Sequence, residues 1–341
     1  MAVADELRAS GAEVSFLGTR ERIEAELVPA AGYEIDFIEV RGIDRRNPLR
    51  AARAGIEALG AVGASRKVLR RRGADVVMGG GGYVAGPAGL AATLTRTPLV
   101  LTEADSHLGL ANRLLARRAR RVCLAFPIAG REGDPYLVTG RPVPRAVLEG
   151  DRAAARKRFG IADDARCLLV FGGSQGARSI NLAAIEAFAE CDGREFHVLH
   201  IGGRRDFAEL EKRLGEAPNR ERYTLLDYEP NLGDALAAAD LVVARSGGSI
   251  FEVVAAGRPA VLIPYPFATG DHQTANAEWM RAAGAASVIA DAELSAERLA
   301  AEVSPVLEDP ARLEGMASAA RGLAKPDAAR RIADEVLEAA G

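Results

Sequence analysis

A chain of 341 residues, 48% hydrophobic and 27% charged with a formal net charge of −3, has the composition of an ordinary soluble globular protein, long enough for two domains with cores of their own. No apolar run reaches the roughly 18 residues of a membrane-spanning helix. The opening MAVADELRAS is mixed and acidic where a secretory signal is basic and then apolar. Three cysteines, Cys123, Cys167 and Cys191, are odd in number and lack CxxC spacing, so all three read as buried, reduced thiols of a cytoplasmic protein.

In chain order, residues 2 to 10 read as the tail of a helix stopped at Gly11. Apolar strands follow at Val14 to Leu17, Ile35 to Val40, Asp75 to Met78, Leu99 to Thr102, Val122 to Ala125 and Leu137 to Thr139, with helical stretches between most of them. That alternation predicts a parallel, doubly wound sheet. Such a sheet normally begins with a strand and its phosphate turn, whereas this chain starts inside a helix. Residues preceding Met1 are therefore expected in the natural protein, or have been lost from it.

After a charged helix over Asp151 to Phe159, a second set of strands runs Cys167 to Phe171, Phe196 to Ile201, Tyr223 to Leu226, Leu241 to Ala244, Ala260 to Pro264 and Ala286 to Ile289. Helices at Ala296 to Leu307 and Ala328 to Ala340 are separated by a Lys325-Pro326 break. Two α/β halves meeting near residues 140 to 150 predict a cleft between domains.

Every unusual loop falls just after a strand, at the edge where open α/β sheets bind ligands. In the first half these are GGGGYVAGP from Gly79, EADSHLG from Glu103 and GRPVPR from Gly140. The second half has GGSQGAR from Gly172, GGRRD from Gly202, RSGG from Arg245 and a loop carrying Asp271, His272 and Gln273. A strand, glycine turn and helix in that order leave backbone N–H groups at a helix N-terminus, where the macrodipole favours phosphate. Glu252, early in the helix after RSGG, is placed to accept two ribose hydroxyls, so this stretch predicts a site for a nucleotide diphosphate. GGSQGAR adds Ser174 and Gln175 as side-chain donors, although a glycine turn alone is equally a tight turn.

Basic residues concentrate between Arg41 and Arg72, with ten against Asp44 and Glu57, interleaved with apolar positions at helical spacing. From pattern alone this is either a solvated helix packed on a sheet or a helix lying on an anionic membrane. Nucleic acid is disfavoured, because no aromatic residue is present there for stacking. His197 and His200 alternate on one strand and read as structural, whereas His107 and His272 sit in loops. No metal-ligand spacing is visible.

In the order and spacing of FLGTRERIEAELVPAAGYEIDFI, GGGGYVAGP, EADSHLGLAN, GGSQGARSIN, ADLVVARSGGSIFEVVAAGRPAVLIP and DHQTANA, the chain resembles MurG-type N-acetylglucosaminyltransferases. The resemblance covers nearly the whole chain. It implies the GT-B glycosyltransferase architecture: an α/β protein of two doubly wound Rossmann-like domains facing across a cleft. Residues 1–144 would form the acceptor and membrane-facing domain, 145–324 the UDP-sugar domain, and 325–341 a helix returning to the first.

Carried over by motif, Ser174, Gln175, Arg245, Ser246, Gly247, Gly248 and Ser249 would meet the diphosphate and Glu252 the ribose. The backbone near Glu229 would hold uracil, and His272, Gln273 and Asn276 the N-acetylglucosamine. Gly81, Gly82, Tyr83, Asp105, Asn112 and either Arg141 or Arg145 would line the acceptor side. The family's general-base histidine falls before Met1, leaving Asp105 and His107 as assisting groups. Asp105 stands where the family has Asn, GRPVPR replaces GNPVR, and the RSGG turn is one residue short.

The resemblance further implies an inverting transfer from UDP-N-acetylglucosamine to a polyprenyl-diphosphate-linked acceptor, without a resident cofactor or metal, at the cytoplasmic face of the membrane. Docking would use Arg41 to Arg72, and other cell-wall synthesis proteins would be partners. The rival readings are a UDP-sugar transferase acting on another lipid such as diacylglycerol, and a UDP-sugar-binding protein without turnover.

Overall fold

Apolar runs along the chain become parallel strands wherever helices can cover both of their faces. The computed structural model describes residues 1–40, 48–173, 177–191 and 195–341, with backbone alone for 48–59 and Thr269. Two compact units result, one of Met1–Pro142 with Asp327–Gly341 and one of Val143–Pro326.

In the first unit the strands are β1 (Ser15–Gly18), β2 (Glu34–Phe37), β3 (Val77–Gly79), β4 (Leu99–Glu103), β5 (Arg121–Leu124) and β6 (Tyr136–Val138). Helix α1 (Ala2–Ala9) precedes them, and α2 (Glu24–Ala30), α3 (Pro48–Arg72), α4 (Gly82–Thr95) and α5 (Leu110–Leu115) lie between them. All the pairings are parallel, as expected, with the strands grouped as β1-β2 and β3-β4-β5-β6. Among the described residues no strand pairs with both β1 and β3, so the edges that would join the sheets stay separate.

The last helix, Ala328–Ala340, covers β4 and β5. Its Ile332, Ala333 and Val336 pack with Val3 and Leu7 of α1 and with Val100 and Cys123. The opening residues thus form an amphipathic helix, and its burial explains its apolar spacing.

The second unit holds β7 (Cys167–Phe171), β8 (His197–Ile201), β9 (Tyr223–Leu226), β10 (Leu241–Ala244), β11 (Ala260–Leu262) and β12 (Ala286–Val288). Its helices are α6 (Arg145–Leu148), α7 (Arg152–Phe159), α8 (Arg178–Phe188), α9 (Phe207–Gly215), α10 (Leu232–Ala238), α11 (Ile250–Ala255), α12 (His272–Ala282), α13 (Ala296–Glu308) and α14 (Pro310–Leu323). All strand pairs are parallel, in the order β12-β11-β10-β7-β8-β9. The winding direction reverses between β7 and β10.

Every residue of β7 is buried, and Leu168 and Leu169 are fully enclosed. Each leucine side chain contributes roughly 1.5–3 kcal/mol by leaving water. This is why CLLVF is an unbroken apolar run rather than an alternating one.

At the opposite, amino-terminal edge of this sheet Asp240 ties α7 to the strands. It accepts from Arg152 Nη2 at 2.7 Å, Arg156 Nη2 at 2.9 Å and the Cys167 N–H at 2.8 Å. Arg156 is 2% exposed and also donates to the carbonyls of Ala162 and Asp163, so its buried charge is fully occupied. Cys123 and Cys167 are buried as expected, and burial pushes both thiols up to about 12. Cys191, which follows α8 and lies outside any strand, is exposed, contrary to the sequence reading.

Candidate functional site

The reversal between β7 and β10 sets two glycine turns side by side. Phe171 and Ala244, the last residues of the two strands, are in register, so Gly172 and Arg245 begin adjacent loops at the carboxyl edge. Gly173 has φ +86°, a left-handed conformation that other residues adopt only with strain. Ser174 and Gln175 lie outside the described residues.

The turn after β10 runs through partly exposed Gly247, Gly248 and Ser249 into α11, with Glu252 in its first turn and also partly exposed. It is knitted to the start of α12. Ser246 Oγ donates to the Gln273 carbonyl at 2.7 Å, and Asn276 Nδ2 donates to the Ser246 carbonyl at 2.9 Å. The turn lies close to the glutamine: a Cβ placed on Gly247 would stand 3.7 Å from Gln273 Nε2, in ordinary van der Waals contact. The other end of that amide, Oε1, accepts from the Tyr265 N–H at 3.0 Å. His272 opens α12, preceded by Asp271 in the left-handed region at φ +53°, a strained conformation for a residue with a Cβ.

Three residues expected at the ligand make side-chain bonds within the protein. Ser246 is fully buried and Asn276 is 2% exposed, both turned into the turn-to-helix knit. Arg245 is occupied by the protein. Its Nη1 donates to the Ile263 and Pro264 carbonyls at 3.2 Å and pairs with Asp291 at 2.6 Å, while Nη2 donates to Ser179 Oγ at 2.8 Å. One guanidinium thus ties β10, the end of β11, α8 and the segment after β12 together. Its fork of donors suits this task better than a lysine would.

Glu229, in the loop after β9, is buried as well. Its carboxylate accepts from the Asn231 N–H at 2.8 Å and from Arg158 Nη2 at 2.7 Å, which fixes the loop whose backbone is expected to hold uracil.

His200 is fully buried behind this edge. Asn181, at the start of α8, gives its Nδ2 hydrogens to the Gly202 carbonyl and Asp206, so its Oδ1 accepts from His200 Nε2. The imidazole is therefore the neutral Nε2–H tautomer, and its Nδ1 accepts from the Tyr223 hydroxyl at 2.7 Å. Burial holds its pKa down to about 3.

In the first unit the loops again follow strands. Gly81 (φ 81°, ψ −173°) and Gly82 (φ +78°) turn the chain from β3 into α4 in a geometry only glycine adopts freely. Tyr83 is 54% exposed, with the Arg22 guanidinium 5.1 Å from its ring centre. After β4, Asp105 is partly exposed and His107 exposed.

Asn112, expected at the acceptor, is 1% exposed. Its Nδ2 donates to the Thr102 carbonyl and to Glu103, both at 2.9 Å. Arg141 follows β6 within this unit, whereas Arg145 opens α6 in the other.

Sequence reasoning passed over Glu103, Asp291 and the aromatic pair Tyr265–Phe267. Glu103 could have been flagged as a carboxylate ending an apolar strand run. Asp291 carries no local signal, because only folding brings it to Arg245. Phe267 is 82% exposed beside the α12 loop, an accessibility that its surrounding sequence does not reveal.

Family models match both parts of the chain, the glycosyltransferase family 28 N-terminal domain over residues 1–124 and its C-terminal domain over 167–332. The chain belongs to glycosyltransferase family 28. Within this family it is 43% identical to the UDP-N-acetylglucosamine–N-acetylmuramyl-(pentapeptide) pyrophosphoryl-undecaprenol N-acetylglucosamine transferase of Mycolicibacterium paratuberculosis, covering 99% of this chain and 84% of that protein. The enzyme of the same name from Halorhodospira halophila is 40% identical, covering 98% and 92%. The crystal structure of Acinetobacter baumannii MurG superimposes with a TM-score of 0.79 at 30% identity, covering 99% of this chain and 94% of that one. The chain is therefore a MurG-type hexosyltransferase with the two Rossmann-like units of the GT-B fold.

Proposed function

We propose that this protein transfers N-acetylglucosamine from UDP-N-acetylglucosamine to the 4-hydroxyl of the N-acetylmuramoyl sugar in an undecaprenyl-diphosphate-linked pentapeptide, the step that completes the lipid-linked disaccharide of peptidoglycan. The observation that carries the reading is the in-register pairing of β7 and β10, which sets the starts of the loops at Gly172 and Arg245 together at the switch point of the second unit.

In this reading the backbone of Gly247, Gly248 and Ser249 takes the diphosphate, Glu252 the ribose hydroxyls, and His272 and Gln273 the transferred sugar. Arg245, Ser246 and Asn276 hold these groups in place from behind. The acceptor hydroxyl attacks the anomeric carbon as the bond to UDP breaks. Charge developing on the leaving diphosphate is met by N–H groups at the start of α11. Tyr83, Asp105 and His107 serve the acceptor, with Asp105 and His107 assisting removal of the hydroxyl proton. Of the two candidate arginines, Arg141 is the one carried by the acceptor unit and takes the acceptor diphosphate.

Docking on an anionic membrane fits the same unit. No helix among the described residues is long and apolar enough to cross a membrane. On the neighbouring helices α4 and α5, however, Leu90, Leu94, Leu110 and Leu114 stay exposed in i,i+4 pairs. Arg66, Lys67 and Arg70 on α3, which packs on α4, and Arg113, Arg117 and Arg118 on and after α5 are exposed too, and apolar with basic surface suits an interface with anionic lipid. Arg71 and Arg72 drop out of that set, because Asp36 and Glu34 bind them. Arg41, Arg45 and Arg46 lie outside the described residues, and Arg50 and Arg53 are described by backbone alone.

The test is UDP release from UDP-N-acetylglucosamine with the undecaprenyl-diphosphate-linked muramoyl pentapeptide or with diacylglycerol in matched vesicles. Stimulation by the first alone is expected. Stimulation by diacylglycerol alone overturns the reading.

A further inference from the structure

The carboxylate of Glu103 ends β4 and is 8% exposed. Its Oε1 accepts from the Asp105 N–H at 3.2 Å, and its Oε2 accepts from the Gly109 N–H at 2.8 Å and Asn112 Nδ2 at 2.9 Å. These donors stand at the start of the 104–109 loop, at its end, and one turn into α5. A single buried group therefore closes the loop on itself. The amide of Asn112 cannot turn over in this arrangement, since both of its hydrogens are used, on Glu103 and on the Thr102 carbonyl. Its Oδ1 is left buried with no donor among the described residues.

From this geometry we infer that Glu103 is a positioning residue: it does not touch substrate but fixes the loop that presents Asp105 to the acceptor. The role rests on the transferase reading above. It requires a carboxylate, because three N–H donors converge on two oxygens that must both accept. A glutamine puts an amide nitrogen in one of those places and faces either the Asp105 N–H or the Gly109 N–H and Asn112 donors with another donor. Asn112 can relieve that clash only by turning over, which gives up its bond to the Thr102 carbonyl. An aspartate keeps both acceptors but is one methylene shorter, so it reaches part of the set.

Two measurements on the full chain test this, with Glu103→Gln and Glu103→Asp. Amide hydrogen exchange at Asp105 and Gly109 is expected to rise at least tenfold in Glu103→Gln and less in Glu103→Asp, with protection in the second unit unchanged. In the transfer assay, kcat at saturating substrates should fall at least thirtyfold in Glu103→Gln while the KM for UDP-N-acetylglucosamine stays within about twofold, and Glu103→Asp should recover part of the loss. Unchanged exchange at both amides overturns the inference. So does faster exchange with wild-type kcat, or a kcat loss that only tracks the unfolded fraction. If the wild-type protein shows no transfer to the muramoyl lipid, the functional reading fails, and the exchange measurement still decides whether Glu103 holds the loop.

Discussion

Replacing Arg245 with alanine separates a residue that binds the donor from one that holds the donor site together. The substitution removes an ion pair to Asp291, two bonds to the carbonyls at the end of β11 and one to Ser179. The arginine and aspartate side chains are only 12% and 24% exposed, so water replaces little of what is lost. Truncating one member of a buried pair costs about 3–5 kcal/mol, and the partial exposure of Asp291 points to about 3. For a unit of this size, each kcal/mol moves the midpoint by about 2–4 °C, so thermal unfolding without ligand should shift down by roughly 6–12 °C. Donor affinity, measured by calorimetry well below the lowered midpoint, should weaken by less than about tenfold, a cost of under roughly 1.4 kcal/mol. Arg245→Lys should fall between, since one ammonium reaches Asp291 but not the whole set. A wild-type midpoint with donor affinity reduced more than about a hundredfold would falsify the clamp and make Arg245 a diphosphate ligand.

Three further outcomes are expected. Glu252→Ala should weaken UDP-N-acetylglucosamine binding by about 1.5–3 kcal/mol through loss of charge-assisted bonds. Unchanged affinity by calorimetry removes Glu252 from the ribose. His200 is held neutral, its pKa down at about 3 from 6.5 by burial. The unfolded chain therefore takes up a proton first as pH falls, and the stability this group contributes is whole above pH 6.5 and lost between there and about 3. Between about pH 7 and 5 its share is roughly 2 kcal/mol. Urea unfolding of His200→Gln should show a pH slope shallower by that amount, and equal slopes refute the assignment. Leu94→Glu with Leu114→Glu should lower binding to anionic vesicles by roughly fivefold per site, because each half-exposed leucine gives about 1 kcal/mol on leaving water. Binding equal to wild type in a co-sedimentation assay excludes this face from the membrane contact.

Strands and glycine turns were legible because their signals are local. CLLVF must be buried on both faces, and a run such as GGGGY suits only a backbone that visits positive φ, as Gly81 and Gly82 do. The place of each loop at the carboxyl edge followed from strand positions alone. What sequence could not separate was contact from support. Ser246 and Asn276 stand in the same motifs as Gly247 and Gln273, but Ser246 Oγ and Asn276 Nδ2 bond to one another's elements. Arg245 looks like a phosphate ligand in a glycine turn, yet one of its partners, Ser179, is 66 positions away along the chain. The partition of the basic stretch was equally hidden, because Asp36 claims Arg71 and Arg72 only once α3 lies beside β2.

The two units share one construction in which buried polar groups stand behind glycine-rich edges. In the second, Arg245 and Asn276 hold turns that present backbone; in the first, Glu103 holds the loop that presents the Asp105 side chain. A site that meets developing charge with fixed N–H groups gains from such rigidity, since donors already aligned need not reorganise when the sugar departs. The arrangement also explains why its most constrained side chains are not its most exposed. Positions proposed to face the ligand can be glycine, whose backbone N–H groups bind it, while side-chain identity matters most one layer back. Substitutions in that layer should therefore damage turnover through geometry, leaving ground-state donor affinity less affected than kcat.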